Sequence, residues 1–279
     1  MHQLSELVVR APASSANLGA GFDVFGMAVT LFADVGTGAP PDGAQPCGEQ
    51  HPARAPFARL GGVGPLWLRT NIPMARGLGF SGAVRVAAAG LAVAQSGLPI
   101  ESCGDEVLAV TAALEGHGDN VGASLLGGVG AYVDGEAVPF PLGPVLAGAS
   151  FVAWVPDVTT STDASRRTLG DQVSRLDAVH NLGRATKMAM AFAHDDPALL
   201  AGAADDRLHQ ADRLPSIPGA AEAIEAGTAA GAWCGWLSGS GPTVGFLASN
   251  ENAEAVARVL PGNGHVKVLA VDPQGARVL

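Results

Sequence analysis

Lysine is nearly absent. Of 16 basic residues only Lys187 and Lys267 are Lys, so a lysine-dependent grip on phosphate has few candidates, and no GxxxxGK[ST] pattern occurs. Charge of any sign is scarce: 15 % of the chain is charged and 48 % is hydrophobic, which excludes a disordered polyelectrolyte. The net charge of -10 disfavours nucleic acid as the main partner. It leaves room for a phosphate ligand held by backbone N–H groups and a few arginines. Cysteine is limited to Cys47, Cys103 and Cys234, scattered and without CxxC spacing. That argues against a disulfide framework or a zinc site and suits a reducing cytoplasm. Long apolar runs are missing too. The longest, Val86 to Ala94, is interrupted by Gly90 and is too short to span a membrane. The N-terminus, MHQLSELVVR, has no basic stretch and no small-residue cleavage site, so a cytoplasmic location with no membrane contact is expected. No internal repeat is visible.

A length of 279 residues fits one large or two modest domains. Residues 6–12 read as a short β-branched strand, followed by a small, polar turn from Ala13 to Gly21 and an apolar run from Val24 to Leu31. Residues 36–56 hold enough Pro and Gly to read as a surface loop. Trp67 to Thr70 is a strand candidate, and Ser81 to Gln95 reads as a mostly buried helix. Further helices are expected at Asp105 to Gly116 and Val121 to Leu126, then a strand at Val129 to Val133. The second half opens on a strand, Phe151 to Val155. Helical patterns follow at 163–169, 175–194, 197–209 and 218–230, then strands at Trp233 to Leu237 and Val244 to Leu247. A helix at 251–260 and a strand at 265–271 close the chain. Helices and strands in a non-repeating order predict an α+β fold in two halves, residues 1–148 and 149–279.

The segment with most chemical content is PMARGLGFSGA, residues 73–83. Gly77, Gly79 and Gly82 match GxGxxG, a string that three mechanisms can use. It can be a turn that packs a helix closely on a strand. It can be a dinucleotide-binding turn, but that needs a strand running straight into the glycines and an acid at the tip of the next strand. Pro73 to Arg76 intervene here, and Glu101 lies in a loop before a helix, so that context fails. It can be a phosphate loop, in which small residues turn backbone N–H groups onto a triphosphate and the following helix adds its positive end. On that reading Ser81 sits in the first turn, where its hydroxyl can reach Mg²⁺ or a phosphate oxygen.

Three segments in order resemble the motifs of the GHMP kinases, named for galactokinase, homoserine kinase, mevalonate kinase and phosphomevalonate kinase. They are PASSANLGAGFDVFGMAV (12–29), PMARGLGFSGA (73–83) and SGSGPTVGFLA (238–248). Within that superfamily the chain is most similar to the homoserine kinases, through ASSANLGAGFD, LEGHGDNVGASLLGG (114–128), STDASRRTL (161–169), HNLGRA (180–185) and DRLHQADRLPSIPG (206–219). The resemblance covers roughly residues 6 to 250. It implies a ribosomal protein S5 domain 2-like N-terminal domain and a ferredoxin-like C-terminal domain, with the active site between them. It further implies ATP-dependent phosphorylation of L-homoserine in threonine synthesis, with ATP and Mg²⁺ as cofactors and a homodimer as the assembly. Another hydroxyl acceptor, or a non-catalytic homoserine-binding sensor, are the alternatives.

Each candidate residue also has an ordinary reading. Glu115, taken alone, is a solvated carboxylate at a helix end; the resemblance makes it the Mg²⁺ ligand with Ser81, both being hard oxygen donors. Asn17 and Asp23 are turn formers on their own. The resemblance turns both toward the amino acid, with Asp23 on its ammonium. Arg166 and Arg213 read locally as surface arginines; the resemblance sets their planar forks at the substrate carboxylate, with Thr162 nearby. Asn120 is implied beside the substrate hydroxyl in a positioning, catalytic role. Asp119 stays open between a helix cap and a base. Pro73, Arg76, Gly77, Leu78, Gly79, Phe80, Ser81, Gly82 and Ala83 form the implied nucleotide loop. The chain departs from the family pattern at Phe80, where the loop usually has Ser, and in the segment HPARAPFARLGG, where Pro52 and Pro56 break any long adenine-side helix. Asn71 is the adenine candidate in its place. His117, His180 and His209 form no metal set.

Overall fold

The computed structural model describes residues 6–160 and 162–279, without the side chains of 162–164. The N-terminal half is built on a long antiparallel pair, β1 (Val8–Ala16) and β2 (Phe25–Gly36). Their register slips between Pro12 and Ala13: Pro12 faces Phe32, but Ala13 faces Val29. Proline has no N–H to give to the ladder, so the irregularity falls at the residue that cannot pair. The strand runs on to Ala16, past the expected turn at Ala13. The reversal is concentrated in Asn17, Leu18, Gly19 and Asp23, all at positive φ.

The Pro- and Gly-rich stretch contains two short elements, β3 (Gln45–Pro46) and α1 (Arg54–Arg59). Next come β4 (Trp67–Thr70), α2 (Phe80–Gln95), α3 (Gly104–Glu115) and α4 (Asp119–Leu126), then β5 (Val129–Val133) and β6 (Glu136–Pro139). After a single turn, α5 (Pro144–Ala147), the second half opens with β7 (Ser150–Pro156), α6 (Thr162–Arg167), α7 (Arg175–His194), α8 (Gln210–Arg213) and α9 (Ala220–Ala229). It continues with β8 (Cys234–Leu237), β9 (Val244–Ala248), α10 (Asn250–Val259), β10 (Gly264–Ala270) and β11 (Arg277–Val278). The first sheet has the order β11-β1-β2-β4-β3, with β5 on β2 and β6 on β5; the second has the order β10-β7-β9-β8. The chain passes from the first sheet to the second between β6 and β7, and β11 returns to pair with β1.

Two corrections concern the second half. The helix expected over 197–209 is a single 3₁₀ turn at Pro197–Leu200 followed by irregular backbone. Gly202 sits at φ +69, and the Asp206 carboxylate takes the amides of Leu208, His209 and Gln210 away from a helical ladder. The last strand, β11, had no visible pattern in two residues.

Period-two alternation sorts the second sheet between two cores. Phe151, Ala153, Val155, Trp236 and Leu247 join one continuous cluster with α2 and the first sheet. Val152, Trp154, Leu237, Val244 and Phe246 face the other way, with Ala223 of α9 and Val256 of α10. The two sheets therefore share a core, and the cleft between them is bounded by packed elements. No single helix among the described residues is long and apolar enough to cross a membrane.

Candidate active site

The cleft forms where the glycine loop enters α2. Gly79, the residue before the helix, has φ +65, and a Cβ there would lie 2.0 Å from Ser14 Oγ. Gly77 has φ +73, and a Cβ there would lie 2.4 Å from the Ser238 carbonyl oxygen. Positive φ favours glycine at both positions, and a Cβ would meet backbone oxygen at Gly77 and the Ser14 hydroxyl at Gly79. The first helical bond runs from Ala83 N–H to Gly79 O at 2.9 Å. The amides of Phe80, Ser81 and Gly82 precede it and have no carbonyl one turn back, so the positive end of α2 points into the cleft.

The loop is held from behind by a chain of buried hydroxyls. Trp236 Nε1 donates to Ser15 Oγ at 3.0 Å, Ser15 meets Ser238 Oγ at 2.7 Å, and Ser238 donates to Gly77 O at 2.6 Å. Arg76 donates to the carbonyls of Pro156 and Val158, which ties the loop to the end of β7. Its guanidinium is engaged in that tie, and Arg76 is among the residues lining the cleft. Gly82 and Ala83 lie outside the lining: Gly82 abuts Asn120 and Val121, and Ala83 is fully buried with its amide in the helix. Asn71 is also away from the cleft, its Oδ1 accepting from the Phe32 amide at 2.8 Å.

At the loop's open side, Ser81 Oγ donates to Glu115 Oε2 at 3.0 Å. Glu115 closes α3, and Gly116 ends that helix at φ +83, which turns the carboxylate toward α2. The hydroxyl and carboxylate oxygens lie side by side in the cleft lining, hard donors of the kind that fit a divalent cation whose other ligands are phosphate oxygens. Arg85, one turn further along α2, forms an ion pair with the same Oε2. Burial pushes the Arg85 pKa below its ordinary value. Nothing in the sequence pattern marked this arginine.

On the opposite side, Arg166 of α6 holds Asp23 with both forks, Nη1–Oδ2 at 2.9 Å and Nη2–Oδ1 at 2.7 Å. Asn17 accepts from the Asp23 amide at 3.0 Å and donates to Gly239 O at 2.9 Å, so both ends of its amide brace the turn. Arg213 is buried at 4 % exposure. It lies against the Phe22 ring and donates to His209 Nδ1 at 3.2 Å, while its Nε has no hydrogen-bond partner among the described residues. Burial lowers the Arg213 pKa, and nearby Asp23 opposes that shift. His209 Nε2 lies 3.0 Å from Gly19 O, the arrangement of a neutral ring donating there and accepting from Arg213 at Nδ1. Burial keeps that ring neutral by lowering its pKa. His209 thus braces the buried arginine.

Between the two corners, Asn120 Oδ1 accepts from Ser14 Oγ at 2.7 Å, which leaves its NH₂ as the group available to a ligand. Asp119 is 3 % exposed, and its Oδ1 accepts from Asn120 N–H at 2.8 Å and contacts His117 Nδ1 at 2.7 Å. The Thr162 side chain lies outside the described residues.

The GHMP kinases N terminal domain family matches residues 53–128, and the GHMP kinases C terminal family matches 180–266. A homoserine kinase of Desulfitobacterium hafniense is 35 % identical over 297 aligned positions, covering 97 % of this chain and 99 % of the relative. The chain belongs to the homoserine kinase family of the GHMP kinases. The homoserine kinase of Moorella thermoacetica is 39 % identical over 258 positions, 85 % of this chain and 86 % of its own. The crystal structure of a homoserine kinase from Cytophaga hutchinsonii shares the fold, with a TM-score of 0.84 at 24 % identity over 100 % of this chain and 98 % of that one. A mevalonate kinase from Methanococcus jannaschii shares it more distantly, with a TM-score of 0.71 at 10 % identity over 96 % and 98 %. The homoserine kinase fold thus brings Asn17, Asp23, Ser81, Glu115, Asn120, Arg166 and Arg213 to one cleft, together with Pro73, Arg76, Gly77, Leu78, Gly79 and Phe80 of the loop.

Proposed function

We propose that this protein transfers the γ-phosphoryl group of ATP to the side-chain hydroxyl of L-homoserine, giving ADP and O-phospho-L-homoserine. The observation that carries the reading is the Asp23–Arg166 pair beside the unpartnered Nε of Arg213. An α-amino acid presents an ammonium and a carboxylate on one carbon. Those are the two charges that Asp23 and Arg166 present to each other, so the zwitterion can replace the internal pair with little change in charge balance. Arg213 adds a second planar fork for the carboxylate, already desolvated and braced by His209.

With the amino acid held there, its hydroxyl lies toward Asn120 and the entrance of α2. The amides of Phe80 and Ser81, which line the cleft, receive the phosphates. Ser81 and Glu115 are the residues that would hold Mg²⁺, which neutralises charge on the phosphate oxygens when bound. Asp119 is ill-suited as a base, because Oδ1 is already engaged and the group is buried. Transfer then relies on alignment and charge neutralisation. The ligands on this reading are small molecules, without nucleic acid or membrane, and the resemblance implies a homodimer in the cytoplasm that serves threonine synthesis.

A coupled ADP-release assay with ATP, Mg²⁺ and L-homoserine, threonine, mevalonate or shikimate tests the reading. Turnover with homoserine and little with the others is expected. Turnover only with another acceptor overturns the substrate, and homoserine binding without any turnover points to a non-catalytic sensor.

A further inference from the structure

We infer that Arg85 is a positioning residue: a built-in counter-cation that holds Glu115 against Ser81 and keeps the nucleotide-free protein from binding a divalent metal ion well. This rests on the reading of Ser81 and Glu115 as the metal-holding pair.

Arg85 lies four residues after Ser81 on α2, so the two side chains share one face of that helix. Glu115 reaches across from the end of α3, and its Oε2 accepts from Ser81 Oγ and pairs with the Arg85 guanidinium at once. Both members of the ion pair are well covered, the Arg85 side chain 21 % exposed and that of Glu115 11 %. A partly buried charge pair interacts far more strongly than one in bulk water. Glu115 lines the cleft and Arg85 does not, so the arginine acts from behind the carboxylate.

Two consequences follow for a metal ion. Whichever carboxylate oxygen it takes, it meets the positive charge of Arg85 paired with Glu115. It also finds few other ligands, since no group of three or more His, Cys, Asp or Glu side chains among the described residues could hold a metal. A lone carboxylate already neutralised by Arg, plus a hydroxyl, makes a poor site for the free ion. Phosphate oxygens supply what is missing, so the ion enters as its nucleotide complex. Arg85 in the meantime keeps Glu115 in the rotamer that the complex needs.

Free Mn²⁺ is the probe, titrated by EPR into the nucleotide-free protein. Arg85→Met removes the charge and keeps most of the length. It should bind Mn²⁺ roughly tenfold or more tighter than the parent, whereas Arg85→Lys should stay near the parent. The gain should vanish in Arg85→Met/Glu115→Gln. If Arg85→Met does not fold, as judged by its melting curve, Arg85→Gln carries the same comparison. Equal Mn²⁺ affinity in the parent and the neutral variant overturns the inference. A gain that survives Glu115→Gln overturns it as well. Binding of Mn²⁺·ATP to Glu115→Gln separates the two levels. If that affinity is weakened while the neutral Arg85 variant gains nothing, only the role of Arg85 fails. If it is unchanged, the metal does not sit on Glu115, and both readings fall.

Discussion

Single side chains at this site differ in how much of their role is already occupied inside the protein. Glu115 is the clearest case, being the carboxylate that meets both Ser81 and the cleft. Glu115→Gln keeps the shape and a hydrogen-bond acceptor but removes the charge that a metal requires. We expect kcat to fall by on the order of 100-fold or more while ATP still binds, more weakly as its metal complex. Near-normal turnover, measured by ADP release, would rule out the assignment. Arg166 and Arg213 depend on fork geometry instead. Lysine at either position keeps the charge but gives one point of contact where guanidinium gives two. The KM for homoserine should rise roughly 10- to 100-fold in each variant, with kcat less affected, because a hydrogen bond to a charged group contributes about 1.5–3 kcal/mol. An unchanged KM in Arg213→Lys would remove it from the carboxylate site.

Elements carry a different kind of information, and the glycine loop shows how much of it is local. Gly77 and Gly79 were legible in the sequence because their demand is a backbone conformation written at the position itself. The same holds for α7, found over 175–194 as its periodicity predicts, and for β4 and β5. What stayed hidden was contact between distant residues. Asp23 and Arg166 are 143 positions apart, Ser15 and Ser238 are 223 apart, and Arg85 meets Glu115 from another helix. Single arginines in polar surroundings look alike until the fold supplies a partner, which is why Arg85 gave no signal and Arg166 needed a motif. The missed end of the pattern over 197–209 has a local cause, the capture of three amides by Asp206. The loop's dependence on glycine is testable by comparing two positions with the same handedness. Gly77→Ala drives a Cβ into backbone oxygens at 2.4 and 2.8 Å, whereas Gly43, at φ +78, has nothing within 4 Å. Gly43→Ala should cost only the left-handed strain, about 1 kcal/mol. Gly77→Ala should add a shifted loop, seen as a raised KM for ATP and a melting point several degrees lower. Matching behaviour of the two variants would show that the contact with Ser238 and Gly241 does not hold the loop.

At the scale of the whole molecule, stability should form a plateau bounded by buried groups from both halves. On the acid side two histidines act first, and His51, also held below 6.5 by burial, adds to the effect of His209. The folded pKa of His209 is depressed below the ordinary 6.5, mainly by burial, so below 6.5 the unfolded chain takes up a proton that the folded chain refuses. Stability therefore falls as the pH drops from 6.5 toward the folded value. Asp34 and Asp206 act in the same direction at lower pH. Burial alone would raise both carboxyls. Arg10 and Arg69 hold Asp34 below its ordinary value of 3.8, and the His209 charge with the Gln210 amide, Asn181 and the His209 amide does so for Asp206. Their contribution is complete above 3.8 and is lost as the pH falls through the folded values. On the alkaline side the sign reverses. Burial pushes the Cys234 thiol up to about 12 from 9.0, so above pH 9 the unfolded chain loses a proton that the folded chain keeps, and stability falls as the pH rises. Melting curves recorded from pH 4 to pH 10.5 should thus be flat between about 6.5 and 9. His209→Gln should remove its share of the decline below pH 6.5, His51→Gln the rest, and the carboxylate decline should stay in place. Cys234→Ala should make the alkaline limb shallower and leave the part due to Cys47, whose thiol burial also raises above 9.0. An acid limb of unchanged depth below pH 6.5 in His209→Gln would show that another group governs it, and with that the neutral brace behind Arg213 would lose its support.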